Sequence, residues 1–366
     1  MIAKALFWGS LGLLAWTHAG YPLEASVGAR LRGREVRRDD GHEPTVSVVV
    51  AAWNEASVIE RRLENLLELD YPRDKLELVV ASDASTDGTD ELVEGYADRG
   101  VRLVRCPRGG KVAAQNHTVP RTTGEIVAFS DANATWAPNA LRALVRNFAD
   151  PEVAYVCGRL RLERADGSNR EGAYWRYELW LREAESRLHS VTGGNGSIYA
   201  VRREDYVDVD PRFGHDLAFP YLMVQRGRRA VFEPDALAFE KPTPTNEAEY
   251  RRKVRMFEHC WLITLRGSLL RRLPPVYWVE VFSHRLLRYG SGLLHLVLLG
   301  SSIALVREGL VYDAVLIGQL GLLAGAALGV GIARYYVLVS WATVVALWNY
   351  LRRGVPATWE PAEGTR

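Results

Sequence analysis

The chain has 366 residues, 48% hydrophobic and 25% charged, with a formal net charge of +2 from 46 basic and 44 acidic side chains. That balance excludes a disordered chain and a pure membrane bundle, and it gives no bulk electrostatic case for nucleic acid. The length allows one large domain or two modest ones. Cys106, Cys157 and Cys260 are odd in number and far apart, so there is neither a disulfide framework nor a CxxC metal spacing, and a reducing compartment is expected.

The average conceals an asymmetry, because apolar residues gather at the two ends of a polar middle. Residues 5–23 carry no Asp, Glu, Lys or Arg and have Trp and Tyr at their flanks. They approach the ~20 residues of a spanning helix, so 1–28 reads as a retained anchor rather than a signal peptide. Arg30, Arg32, Arg34, Arg37 and Arg38 crowd the linker 29–44. By the positive-inside rule they put the following domain on the cytoplasmic side of a plasma (inner) membrane. At the other end 289–306, 314–333 and 335–351 read as crossings within 289–351, ahead of a tail at 352–366. Residues 251–288 read as amphipathic, interfacial helices. Three crossings leave Arg352 and Arg353 outside, against the charge rule, so either one segment is re-entrant or 273–288 also crosses.

The middle alternates. Val-rich 46–52 is too short for a helix and reads as a buried strand. A helix is expected at 57–69, where Ser57 and Glu60 have capping-box spacing and Ile59, Leu63, Leu66 and Leu67 share a face. Strands at 76–82, 101–105, 125–130 and 153–158 then alternate with helices at 88–98, 111–122 and 138–148. Such alternation predicts an α/β class with a parallel, doubly wound sheet, whose ligands bind at the carboxyl ends of strands. Polar residues do follow the strands: Asn54 and Glu55, then 82–88 (SDASTDG), then 130–133 (SDAN). Any one of these loops reads as a turn or N-cap; three together point to a site.

These pieces resemble family 2 glycosyltransferases of GT-A fold, the membrane-bound inverting enzymes related to cellulose, chitin and hyaluronan synthases. The resemblance is carried in order by VSVVVAAWNEASVIERRLENLLELDYP, SDASTDGT, GGKVAAQN, GEIVAFSDAN, GGNGSIYAVRR, GHDLAFP and RRKVRM, between about residues 45 and 256. It implies a GT-A catalytic domain over 45–250 and a nucleotide-sugar donor, usually UDP-linked. It further implies that Asn54, Glu55, Asp83 and Lys111 line the nucleotide site, and that Asp131 and Asn133 hold a divalent metal, Mg²⁺ or Mn²⁺. Asn133 stands where the family has a second Asp, which removes a charge. Asp216 matches the general base of the family, with His215 where an acidic partner usually stands. Gly194 and Asn195 match the acceptor-side loop. Arg252 and Arg255, one helical turn apart, match the diphosphate-facing basic motif, with Met256 in place of its Trp.

The expected reaction is transfer of the sugar to a hydroxyl of a glycan or lipid-linked acceptor with a β-linkage, in the synthesis of cell-surface polysaccharide or glycolipid. Membrane lipids are expected partners, with an oligomer or export partner to complete a polymer channel. Two other readings stand beside it: a polyprenyl-phosphate glycosyltransferase, whose acceptor needs no general base, and a non-catalytic nucleotide-binding membrane protein.

Overall fold

The computed structural model describes residues 1–162, 173–242 and 245–357. They divide into two compact units, one formed by Gly28–Pro244 with Ser268–Tyr277, the other by Met1–Val27, Thr245–Gly267 and Trp278–Val355.

The first unit holds the sheet. Its strands are β1 (Val46–Ala52), β2 (Leu76–Asp83), β3 (Val101–Cys106), β4 (Ile126–Asp131), β5 (Thr135–Trp136), β6 (Val153–Leu162), β7 (Tyr199–Arg202) and β8 (Arg229–Glu240). Their spatial order is β3-β2-β1-β4-β7-β6-β8-β5. Strand β1 is central and parallel to both β2 and β4, and β2 is parallel to β3. Val46, Val48, Val49 and Val50 are fully buried, as a parallel strand covered on both faces requires.

Beyond β4 the expected all-parallel sheet gives way to a mixed one. Strand β7 runs antiparallel to both β4 and β6, and β5 antiparallel to β8, while β6 and β8 are parallel. The consequence is positional. Because Phe129 of β4 pairs with Tyr199 of the antiparallel β7, the residues entering β7 lie beside the carboxyl end of β4. A parallel β7 would have sent them to the opposite edge.

The expected helix at 57–69 is shorter, Ile59–Leu67, and no side chain caps it. The capping box does not form. Instead the Glu55 carbonyl accepts the Val58 and Ile59 amides at 3.0 and 2.9 Å, so the chain closes its own turn and leaves Ser57 no role at the helix start. Leu63, Leu66 and Ile59 are buried as expected. The three later helices also shorten, to Thr89–Glu94, Lys111–Thr118 and Ala140–Val145, each followed closely by a 3₁₀ turn.

In the second unit, helix Asn246–Arg266 is capped by Thr245, whose hydroxyl accepts the Ala248 amide at 3.1 Å, and is closed by Gly267 at φ +65°. It lies against Gly331–Arg353, where the Trp261 indole donates to the Thr343 carbonyl at 2.9 Å. By length and apolarity two helices among the described residues, Leu310–Ala327 and Gly331–Arg353, can cross a membrane. These become three spans if Pro275–Tyr289 and Ser291–Ala304, bent by 64°, are counted as one. The expected crossing at 314–333 is corrected: the first helix stops at Ala327 and the next starts at Gly331, with Gly329 between them at φ +83°. The expected 289–306 crossing falls on the second arm of the bent pair. The N-terminal stretch is helical from Ile2 to Arg32, interrupted by a π turn at Trp16–Gly20. Cys106, Cys157 and Cys260 are buried, and none of them forms a disulfide among the described residues.

Candidate active site

The rim at the carboxyl ends of β1, β2 and β4 is stitched together by its own loops. Asn54, at φ +53°, accepts the Thr86 amide on its side-chain oxygen at 2.8 Å, and its own amide donates to Ser85 Oγ at 3.1 Å. The Glu55 amide donates to Thr89 Oγ1 at 2.8 Å and the Ala56 amide to Asp87 Oδ2 at 3.0 Å. Asn54 therefore joins the first two loops.

Asp83 ends β2 and is 2% exposed. A carboxylate that deep needs several donors, and it has them: the Gly109 and Gly110 amides at 2.7 and 2.9 Å, and the Arg108 guanidinium. Arg108 in turn lies over the Trp53 ring, 3.8 Å from its centroid. Neither Arg108 nor Trp53 was singled out from the sequence, although Arg108 directly precedes the glycine pair.

The next residue links this carboxylate to the others. Lys111 opens its helix after Gly110, at φ +89°, forms an ion pair with Asp131 and donates to the Gly196 carbonyl at 3.0 Å. Burial alone would lower the pKa of Lys111, but Asp131, Asp216 and Glu240 outweigh it and hold the pKa above that of a free lysine. Asp131 ends β4. On its other side Ser197 Oγ lies 3.5 Å from Asp131 Oδ2 and donates to Glu240 at the end of β8. Residues 108–111 thus connect Asp83 to Asp131, and Lys111 with Gly196 connects Asp131 to Asp216.

Asp216 sits in the first turn of helix His215–Gln225. Its carbonyl accepts the Gly194 amide at 2.7 Å. A Cβ placed on Gly196 would lie 3.7 Å from Asp216 Oδ2 and 3.1 Å from Lys111 Nζ, so the glycine leaves room for both. Gly194 is more constrained, since a Cβ there would collide with the Tyr155 hydroxyl. Asn195 accepts the Ser197 amide at 3.1 Å, and its Nδ2 is buried without a hydrogen-bond partner among the described residues. His215 points into the core instead. It is 2% exposed, packs among Phe129, Tyr199, Tyr206 and Phe219, and its ring nitrogens meet Tyr199 Oη at 3.0 Å and Asn116 Oδ1 at 3.2 Å. Burial, aided by Lys111, pushes its pKa down to about 3, so it stays neutral near pH 7.

Beneath the rim lies Arg62, fully buried. Its guanidinium donates to Ser130 Oγ at 2.8 Å and to Asn65, and covers the Trp136 ring at 4.9 Å. Burial pulls its pKa down to about 9 against the pull of Asp131. Its sequence signal was its spacing, three residues after Ile59 and four before Leu66, which puts it on the apolar face. Arg252 and Arg255 belong to the second unit, on helix Asn246–Arg266, where Arg252 forms a two-bond ion pair with Glu249, both at 2.9 Å. Among the described residues no three His, Cys, Asp or Glu side chains are grouped as a ready metal cage.

Residues 47–209 match the family model Glycosyl transferase family 2. A β-monoglucosyldiacylglycerol synthase of Nostoc sp. is 31% identical over 206 residues, which cover 54% of this chain and 44% of that protein. A poly-β-1,6-N-acetyl-D-glucosamine synthase of Staphylococcus aureus is 23% identical over 265 residues, 67% of this chain and 64% of that one. The chain thus spans about half the length of the curated relatives it matches. Among solved structures, a mannosyltransferase of Pyrobaculum calidifontis in complex with GDP-Man and Mn²⁺ superposes with a TM-score of 0.75 at 27% identity, covering 96% of this chain and 98% of that one. The sheet unit has the GT-A fold. Over residues 47–209 the chain is similar to the family 2 glycosyltransferases.

Proposed function

We propose that the chain is a membrane-bound, inverting glycosyltransferase that moves one sugar from a nucleoside-diphosphate donor to a hydroxyl of a lipid-borne or glycan acceptor, forming a β-linkage. The observation that carries this reading is the junction at Lys111, through which Asp83, Asp131 and Asp216 share one rim although they come from distant parts of the chain. Glycolipid and polysaccharide synthases among the relatives support the acceptor class, and the GDP-Man complex supports a nucleotide-sugar donor.

Asp83, with Arg108 and Trp53, faces the base and ribose end, and Asn54 and Glu55 shape the loop around it. Hard oxygen donors suit Mg²⁺ or Mn²⁺, and Asp131, Asn133 and, through the Ser197 bridge, Glu240 supply them. Asp131 and Asn133 would hold such an ion, which would supply positive charge to the leaving diphosphate. Asp216 accepts the proton of the attacking hydroxyl. His215 is unsuited to that task because Tyr199 and Asn116 already engage both its nitrogens. The Gly194–Gly196 backbone and Asn195 Nδ2, which has no hydrogen-bond partner among the described residues, border the acceptor.

The test is transfer by membranes containing the full chain, over a panel of UDP- and GDP-sugars with Mn²⁺ or Mg²⁺. Asp216→Asn is expected to lower kcat by about 10²–10⁴-fold while donor binding persists. Wild-type transfer by that variant would remove the base assignment and point to a phosphate acceptor, and donor binding with neither transfer nor hydrolysis in the wild type would point to a non-catalytic protein.

A further inference from the structure

Lys111 is a cation built into the place where a divalent ion is expected to bind. Its backbone is fixed, because Asp83 holds the amides of Gly109 and Gly110 immediately before it. Its side chain is fixed at the far end by the Gly196 carbonyl, 3.0 Å from Nζ, and by the ion pair with Asp131. Three carboxylates act on it, those of Asp131, Asp216 and Glu240, and the side chain is 20% exposed.

We propose that Lys111 is a tethered counter-ion that competes with the divalent ion for Asp131 and gives up that carboxylate when metal and diphosphate arrive together. The inference rests on the metal role assigned to Asp131 above. An oxygen-bound Mn²⁺ sits about 2 Å from its ligand. A metal and an ammonium that both touch one small carboxylate are therefore close neighbours of like sign, and the repulsion is twice that of two unit charges at the same separation. The lysine can yield because its four-carbon stem is flexible and its charge is compact. Leaving Asp131, it finds an anionic partner in the diphosphate. Metal then binds weakly to the protein alone and firmly with nucleotide, and Lys111 sets the difference. Gly196 belongs to the same device, since a side chain there would crowd Nζ at 3.1 Å.

The experiment titrates the full-length protein in detergent with Mn²⁺, following free Mn²⁺ by electron paramagnetic resonance, with and without UDP or GDP. Wild type is compared with Lys111→Met, Lys111→Gln, Lys111→Arg and Asp131→Asn, each checked for fold by circular dichroism. Without nucleotide, Met or Gln at 111 is expected to tighten Mn²⁺ binding at least tenfold, and Arg to leave it within about threefold of wild type. With nucleotide the advantage of the neutral variants shrinks or reverses, because they lack the ammonium on the diphosphate. Equal or weaker Mn²⁺ binding by both neutral variants, with Asp131→Asn still abolishing it, overturns the competition and leaves the metal role of Asp131 standing. Unchanged Mn²⁺ affinity in Asp131→Asn overturns both.

Discussion

His215 and Asp216 are consecutive in the chain and face opposite environments. The histidine enters an aromatic pocket and stays neutral, while the aspartate remains at the rim beside Gly196. The buried histidine makes stability depend on pH. Its folded pKa of about 3 lies below the usual value of 6.5, so the unfolded chain binds the proton first as pH falls. The native state therefore suffers no penalty above about pH 6.5 and loses stability down toward pH 3. At pH 5 that loss is about 2 kcal/mol. Between pH 7 and 5 the melting temperature of wild type should fall more than that of His215→Gln. His189, pushed down to about 4 by burial, titrates in the same window in both proteins and cancels from the comparison. Gly194 gives a second test. Gly194→Ala drives a methyl into the Tyr155 hydroxyl and disturbs the 2.7 Å bond to the Asp216 carbonyl. It should cost about 1–3 kcal/mol in urea melts, and adding Tyr155→Phe should recover part of that. The position of Asp83, Asp131 and Asp216 at one rim was legible because each ends a strand or follows a glycine, whereas their roles come from the resemblance alone. Glu240 was not, because nothing local in its strand marks it; it reaches Asp131 only through Ser197.

At the scale of elements, the first four strands were readable because each is a short apolar run set off by a helix and polar punctuation. In the second half of the sheet only β6, expected at 153–158, was readable; β5, β7 and β8 were not. Strand β7 has four residues, too few for a period, and its direction is fixed by pairing with β4 rather than by its own composition. That direction brings the glycine loop to the site, so the element hardest to read contributes most to assembling the rim. Helix Ile59–Leu67 shows a different conflict, an arginine on the buried face. Arg62→Met should destabilise the sheet unit by about 2–4 kcal/mol, since Ser130 and Asn65 lose a charged donor in a dry setting. Arg62→Lys should recover little, because an ammonium lacks the planar fork that serves both oxygens and the Trp136 face. Denaturant titration followed by tryptophan emission reads this directly, as Trp136 is the ring beneath the guanidinium.

For the molecule as a whole, the uneven hydropathy of the sequence corresponds to two units with different ways of hiding apolar surface. The sheet unit buries its apolar residues among themselves, as the fully covered β1 shows. Helix Leu310–Ala327 buries none of its residues, and Ile317, Leu320 and Leu323 are 68%, 52% and 43% exposed. Contiguous apolar surface on that scale requires an apolar partner, and a bilayer core matches the length of the helix. The same segment was legible in outline from its lack of charge, whereas its end at Ala327 depends on a left-handed glycine two residues on that composition alone does not locate. The full chain should therefore sediment with membranes, resist extraction by alkaline carbonate and enter solution with detergent. Leu320→Lys places a charge near the middle of the helix and should cost about 3 kcal/mol of insertion free energy. A glycosylation-tag insertion assay on residues 300–357 within the full chain measures that cost, and an insertion ratio unchanged by the lysine would show that this helix does not lie in the hydrocarbon.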